Sequence, residues 1–87
     1  MNKPSTLLNI GSKVEEALAK LGIYTIDDFL QRSIYEIYFQ MQTLDKKWKN
    51  KMLLYALFGA VNNFNCMMLD TQTKRHITTE YEFYINK

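Results

Sequence analysis

One ten-residue apolar run, residues 52–61, constrains the fold of this chain more than any other feature. It reads Met-Leu-Leu-Tyr-Ala-Leu-Phe-Gly-Ala-Val and lies within a helix predicted over residues 46–63. A helix that is apolar on nearly all sides is usually buried at the centre of a bundle. Three small residues on one side of it predict a close approach by another helix: Ala56, Gly59 and Ala60. The run is too short to span a bilayer, which requires about 20 residues.

Four further helices are predicted from capping residues and apolar spacing. A tight turn at Gly11 is expected to lead into the first of them. Ser12 and Glu15 have the spacing of a capping box, and Gly22 is a typical residue just after a helix end. The later helices are expected to begin at the capping residues Thr25, Ser33 and Asp70. The predicted fold class is therefore all-α, a compact bundle of about five helices.

The length of 87 residues suits one small domain with a single core. Residues 1–6 are polar and are expected to form a flexible leader, and residues 7–77 to form the helical domain. Residues 78–87 alternate acidic with apolar or aromatic side chains, a spacing typical of strands. We therefore expect an extended or docking tail there. The apolar residues 66–69 are expected to pack inward across a turn.

Composition and charge exclude several classes of function. The net charge is only +2, so DNA binding requires local clustering of the basic residues. Cys66 has no second cysteine for an internal disulfide, and Cys66 with His76 falls short of the roughly four ligands of a metal site. No metal, cofactor or catalytic residue is expected, because the carboxylates lie at helix starts and on solvated faces. The polar N-terminus lacks the apolar core of a signal peptide, which favours a cytoplasmic protein without a membrane segment.

Two phrases of the sequence resemble a known family. Residues 8–29 contain Leu-Asn-Ile-Gly and later Gly-Ile-Tyr-Thr-Ile-Asp-Asp-Phe, and residues 50–61 read Asn-Lys-Met-Leu-Leu-Tyr-Ala-Leu-Phe-Gly-Ala-Val. In this order they resemble the C-terminal domain of the TfoX/Sxy competence regulators, although that family commonly has glutamate at the position of Phe58. The resemblance implies an all-α fold with a helix-hairpin-helix or SAM-like start, in a bacterial cytoplasmic protein. It also implies a link to the control of competence genes, where the full-length regulators act with a transcription activator at promoters, and it supplies no catalytic residues.

Two groups of residues are predicted to contact a DNA backbone. The first is the turn Gly11, Ser12 and Lys13, where backbone N–H groups and a lysine lie at the positive end of a helix dipole. The second is a set of lysines around Trp48, which can bind phosphates while the indole stacks on a base: Lys46, Lys47, Lys49 and Lys51. The alternative interpretation is structural, with an ordinary helix start, Trp48 in the core and the lysines as a solvated rim. Lys74, Arg75 and His76 extend the patch only if the fold brings them near it.

The aromatic content points to a protein interface. Six tyrosines and five phenylalanines are more than one small core needs, and aromatic side chains left outside a core mark interfaces. The residues predicted for such an interface, unless they fold back over the core, are Tyr35, Phe39, Tyr81, Phe83 and Tyr84. The first functional interpretation is a non-enzymatic regulatory adaptor in transcription or competence, binding a transcription-machinery protein, double-stranded DNA or both. The alternative is a protein-interaction or dimerisation module, including a homodimer, with no nucleic-acid role.

Overall fold

The structure, a computed structural model, describes residues 3–86. The five α-helices are α1 (Ser12–Lys20), α2 (Ile26–Leu30), α3 (Ile34–Leu44), α4 (Lys51–Asn62) and α5 (Thr71–Ile85). Three short 3-10 turns accompany them, Pro4–Thr6, Lys46–Trp48 and Cys66–Met68. Between residues 3 and 86 the chain has no β-strand, and the predicted all-α bundle of about five helices is confirmed. The predictions for residues 1, 2 and 87 lie outside the described residues.

The central helix of the bundle is α4, as its apolar run predicts. Leu53, Leu54 and Leu57 are all buried, and α4 contacts both α3 and α5. On α3, Ile37 and Met41 face the same core and have no exposed surface. Burial of one such side chain stabilises a fold by about 1.5–3 kcal/mol, so the α3–α4 contact is a main source of stability. None of the helices within the described part of the chain is long and apolar enough to cross a membrane.

Several helix ends lie where the sequence predicts them. Thr25 and Asp28 form a capping box at the start of α2, in which each side chain accepts a hydrogen bond from the other residue's backbone N–H. The side chains of Ser33 and Asp70 cap α3 and α5. Gly22, with φ of 83°, follows α1 in the left-handed region. Glycine is favoured there because it has no Cβ to clash.

The capping box predicted at the start of α1 is wrong. Ser12 is the first helical residue, Gly11 is the N-cap, and no side chain caps this helix. The carboxylate of Glu15 instead accepts a hydrogen bond from the backbone N–H of Ser5 at 2.8 Å. The Glu15 carboxylate, which the predicted capping box required as an acceptor, therefore binds the segment before α1 instead.

The fourth helix begins at Lys51, later than the predicted start at residue 46. Asp45 caps the separate 3-10 turn Lys46–Trp48 by accepting a hydrogen bond from a backbone N–H at 3.0 Å. Asn50 caps α4 in the same way at 3.1 Å. Side chains of this kind compete with continuous helix for backbone N–H groups, so two of them divide the predicted helix. Trp48 consequently lies outside α4 and does not continue its apolar stripe.

The flexible leader predicted for residues 1–6 is wrong for residues 3–6. These residues form the 3-10 turn Pro4–Thr6, and Pro4 is buried. The turn contacts α1, where Ser5 bonds to Glu15. Because proline has an apolar ring and a fixed φ, Pro4 can pack against the bundle with little loss of entropy. The domain thus includes this segment.

The tail predicted for residues 78–87 was expected to be extended or docking, and the extended alternative is wrong for residues 78–85, since α5 continues to Ile85. Tyr81 packs edge-on against Tyr38 with ring centroids 4.8 Å apart, and its hydroxyl accepts a hydrogen bond from the Gln42 side chain at 3.1 Å. Burial raises the pKa of Tyr81. Strand-like alternation is a weak signal that tertiary packing overrides. The contacts of Tyr81 with α3 supply that packing.

Asn9 connects the N-terminal segment to the turn that follows the C-terminal end of α4. Asn9 has φ of 71° and adopts the left-handed conformation, whereas Gly11, where the tight turn is predicted, has φ of −91°. The Asn9 amide nitrogen donates to the carbonyl of Phe64 at 2.7 Å, and its amide oxygen accepts from the N–H of Cys66 at 3.1 Å. We call Asn9, Gly59, Phe64 and Cys66 the Asn9 junction.

Gly59 makes this close approach feasible. A Cβ atom at Gly59 would overlap the carbonyl oxygen of Phe64 and the amide nitrogen of Asn9. The small residues of α4 were predicted to admit a second helix. At Gly59 they admit the Asn9 side chain and the turn after α4 instead. The position of Asn9 against Gly59 depends on residues that are far apart in sequence.

We expect the stability of the domain to fall in acid through its helix caps. Hydrogen bonds from the N–H of Tyr24 and from Thr25 lower the pKa of Asp28. A carboxyl group with a lowered folded-state pKa contributes stability above its unfolded pKa of about 4, and this contribution is lost as the pH falls through the folded pKa. The melting temperature of Asp28→Asn should therefore lie below that of the wild type near pH 6, and the gap should close towards pH 3. Thermal melting followed by circular dichroism gives the melting temperatures of both proteins. A difference that stays constant over this pH range would contradict the role of the Asp28 carboxylate as a cap.

Candidate nucleic-acid interface

A cleft between α1 and the 3-10 turn Lys46–Trp48 brings together residues from the two predicted DNA-backbone sites. Lys13 and Lys20 lie on the α1 side, and Lys47 and Trp48 lie on the other. The volume of the cleft is about 180 Å³. We call it the lysine cleft, and its walls also include Glu16, Ala17, Leu44 and Asp45.

The third helix holds the two walls of the lysine cleft together, because α3 contacts both α1 and the turn Lys46–Trp48. Lys13 and Lys20 are two helical turns apart on α1 and therefore lie on the same face. Lys47 reaches the cleft because the Asp45 cap ends α3 and starts a separate turn. In the predicted continuous helix over residues 46–63, Lys47 would instead have been part of the first turn of α4.

The lysine cleft has a small net positive charge. Three ammonium groups share it with the carboxylates of Glu16 and Asp45. Within residues 3–86, none of these groups forms an ion pair at 4.0 Å or less. The ammonium of Lys47 lies 5.1 Å from the centre of the Trp48 ring, and the contact is a cation–π interaction. These lysines are available to an external anion.

The uncapped start of α1 adds backbone donors next to the lysine cleft. The first N–H groups of an α-helix have no partner within the helix, and no side chain caps them in α1. Gly11 is exposed, and a Cβ placed on it would have no neighbour within 4 Å. Lys13 belongs both to this first turn and to the cleft. An anion at the helix start would therefore face Lys13 as well as the positive end of the dipole.

Trp48 contributes to the packing of the core as well as lining the lysine cleft. It is partly buried and packs against the hydrophobic core, as the structural interpretation of the sequence holds. Lys47 lies over its ring. Both contacts reduce the surface on which a base can stack, so the cleft favours phosphate contact over base stacking.

The remaining basic residues separate into two groups. Lys46 and Lys49 are exposed, and they line neither the lysine cleft nor the groove between α4 and α5. Lys51 lies in a groove between α4 and α5 together with Lys74 and Arg75. His76, which follows Arg75 on α5, does not line this groove. Its imidazole lies 3.9 Å from the carboxylate of Glu80.

The aromatic residues predicted for a protein interface also divide. Tyr35 and Tyr81 pack against the core, and Tyr84 stacks on Tyr81 with ring centroids 6.5 Å apart. Phe39 and Phe83 are 46% and 68% exposed. The structure therefore leaves two of the five aromatic side chains largely in solvent.

A second exposed apolar group was not predicted. Phe64, Met67 and Met68 are 51%, 73% and 71% exposed, and we call them the methionine patch. The expectation that residues 66–69 pack inward is wrong for both methionines, whereas Leu69 is buried. Because apolar side chains are mostly buried, nothing in the local sequence marks these two as exposed.

These features define a small all-α domain with a cationic cleft at its first helix. The family profile of the TfoX C-terminal domain matches residues 1–81. The chain therefore belongs to the TfoX C-terminal domain family, and the resemblance found in the sequence is confirmed. This membership makes it a regulatory type of domain. The match extends beyond the predicted limits of 7–77 on both sides, in agreement with the packing of residues 3–6 and of α5.

A solved crystal structure has a similar fold over nearly the whole chain. It is that of an uncharacterized protein from Listeria monocytogenes, 29% identical, with a TM-score of 0.77. The alignment covers 92% of this chain and 90% of the Listeria chain. A comparison with curated proteins gave no match.

Proposed function

We propose that this domain is a non-enzymatic regulatory adaptor that binds the phosphate backbone of double-stranded DNA through the lysine cleft. The observation that supports this most is the convergence of Lys13 and Lys47, from two distant segments, beside the uncapped start of α1. Helix N-termini and lysines are the groups that proteins use to hold phosphates. The cleft joins both kinds of group at one place.

Binding of this kind carries little sequence information. Phosphate contacts fix the position of a protein on a duplex, and base contacts specify the sequence. We propose that a protein of the transcription machinery supplies the specificity and that the domain works with it at promoters in the bacterial cytoplasm. Membership of the TfoX C-terminal domain family supports the regulatory role.

The test is fluorescence anisotropy of a labelled duplex of roughly two helical turns, about 20 base pairs, titrated with the domain between about 50 and 200 mM salt. The wild type should bind with micromolar affinity at the lowest salt. The double variant Lys13→Gln with Lys47→Gln should lower the slope of log K against log salt by about 1.8, since each phosphate contact contributes about 0.9. The matched control, Lys46→Gln with Lys49→Gln, removes the same charge from exposed positions outside the cleft and should change the slope by less than half as much.

Equal effects of the two double variants would show that net charge, and not the lysine cleft, determines binding. Absence of binding by the wild type at about 50 mM salt would contradict the proposed function altogether. Circular dichroism of each variant confirms that the fold is retained.

The methionine patch favours a second candidate, a protein-interaction or dimerisation module. Exposed apolar side chains of this size mark interaction surfaces, and methionine adapts to varied partners. Association through this patch would depend little on salt, in contrast to phosphate binding. Sedimentation of the domain alone at low and high salt separates a salt-resistant homodimer from a monomer.

A further inference from the structure

The groove between α4 and α5 is a second concentration of positive charge. Lys51 comes from the first turn of α4, and Lys74 and Arg75 come from the first two turns of α5. The groove has a volume of about 410 Å³ and no acidic side chain lines it. In this it differs from the lysine cleft, which contains two carboxylates. We call it the α4–α5 groove.

The cations of the α4–α5 groove have no anionic partner in the described part of the chain. Among residues 3–86, no carboxylate lies within 4.0 Å of Lys51, Lys74 or Arg75. The ammonium of Lys74 lies 5.6 Å from the centre of the Tyr55 ring. Lys51 precedes Tyr55 by one helical turn and therefore lies on the same face of α4, and both residues line the groove. Like charges gathered in this way repel each other, and a bound anion relieves the repulsion.

Two threonines supply neutral donors beside these cations. Thr71, at the start of α5, and Thr79 both line the α4–α5 groove, and both are exposed. Hydroxyl groups, like lysine and arginine side chains, bind phosphate oxygens in complexes with nucleic acids. Arg75 adds a planar guanidinium that can hold two oxygens of one phosphate. The groups present match the chemistry of a phosphate.

The lysine cleft and the α4–α5 groove draw on neighbouring residues of one lysine run. Lys47 of the cleft and Lys51 of the groove are four residues apart, so their Cα atoms are separated by at most about 15 Å. Each strand of duplex DNA carries one negative charge per about 3.4 Å of helix axis. One backbone therefore presents several phosphates over the distance between the two sites.

We propose that the α4–α5 groove is a second phosphate-binding site and that it holds the same DNA backbone as the lysine cleft. This inference rests on the proposed function, because it assumes that the duplex is the ligand. It assigns a binding role to Lys74 and Arg75, which local sequence does not place near the lysine run. An acidic peptide is the competing ligand, since glutamate carboxylates also bind lysine and arginine.

The experiment extends the duplex titration to the double variant Lys51→Gln with Lys74→Gln. We expect about tenfold weaker binding at about 50 mM salt and a slope lowered by about 1.8. The control double variant Lys46→Gln with Lys49→Gln, which removes the same charge, should stay within a factor of about two of the wild type. A labelled glutamate-rich peptide is titrated in parallel with the wild type and with the groove variant. Thermal melting verifies that all variants are folded.

The outcomes distinguish failure of the groove from failure of the cleft. If the cleft variant loses affinity while the groove variant binds the duplex like the control, the proposed function stands and the second site is refuted. If only the groove variant loses affinity, the groove binds DNA and the cleft assignment is wrong. If the wild type binds the peptide but not the duplex, and the groove variant binds neither, the groove is an acidic-peptide site and both DNA proposals are refuted. If the wild type binds neither probe, both proposals are also refuted.

Discussion

Replacement of Gly59 by alanine is expected to destabilise the domain by about 2–4 kcal/mol. The added Cβ would overlap the carbonyl oxygen of Phe64 and the amide nitrogen of Asn9. Overpacking in a filled site usually costs about 1–3 kcal/mol, and here it also disrupts the hydrogen bond between those two groups, for about 1 kcal/mol more. Urea denaturation followed by circular dichroism gives the free energy of unfolding.

The matched control for this prediction is Gly11→Ser. A Cβ at Gly11 has no neighbour within 4 Å, and the residue is the N-cap of α1 with extended backbone. Serine is a better N-cap than glycine by a few tenths of a kcal/mol, so Gly11→Ser should be neutral or slightly stabilising. Similar losses at Gly11 and Gly59 would contradict the close approach at the Asn9 junction.

Replacement of Asn9 by alanine should cost about 3 kcal/mol. The substitution removes the hydrogen bonds to the carbonyl of Phe64 and from the N–H of Cys66, each with a net value of about 1 kcal/mol. It also places alanine at φ of 71°, a left-handed conformation that costs alanine about 1 kcal/mol but that asparagine and glycine adopt readily. Asn9→Gly should recover that conformational part and remain about 2 kcal/mol less stable than the wild type.

A double-mutant cycle between Asn9→Gly and Gly59→Ala tests whether the two residues act together. Without the Asn9 amide, the alanine Cβ at position 59 loses one of its two close neighbours. The cost of Gly59→Ala should then be smaller by about 1 kcal/mol in the Asn9→Gly background. Strict additivity of the two costs would show that the residues do not share a contact.

The parts of the fold that depend on local chemistry could be predicted from the sequence. Thr25, Ser33 and Asp70 bond to N–H groups two or three residues away, so their effect is visible in a short segment. The burial of α4 follows from its apolar run alone. These signals act over a few residues and need no knowledge of the tertiary structure.

The errors arise where a distant contact decides the local structure. The sequence places a tight turn at Gly11, whereas the left-handed residue before α1 is Asn9, which bonds to a carbonyl 55 positions away. Residues 78–85 alternate like a strand, but they are helical, and Tyr81 among them packs on Tyr38 of α3. Periodicity alone does not contain this information.

The candidate site was predicted in pieces and assembled only by the fold. Lys13 and Lys47 were assigned to separate groups, and the contacts of α3 with both walls bring them into one cleft. The lysine run was predicted as one patch, but the caps at Asp45 and Asn50 divide it between the lysine cleft and the α4–α5 groove. The helix break therefore places Lys47 in the cleft and Lys51 in the groove and leaves Lys46 and Lys49 outside both.

The most direct test of the central proposal is an NMR titration of the ¹⁵N-labelled domain with the duplex at low salt. We predict that the largest amide shift changes fall at residues 12–14 and in the turn Lys46–Trp48, with residues 64–68 unchanged. The first group are the N–H donors of the uncapped start of α1, and the second includes Lys47 and Trp48, which line the opposite side of the lysine cleft. Changes confined to residues 64–68, or no changes at all, would contradict DNA-backbone binding by this cleft.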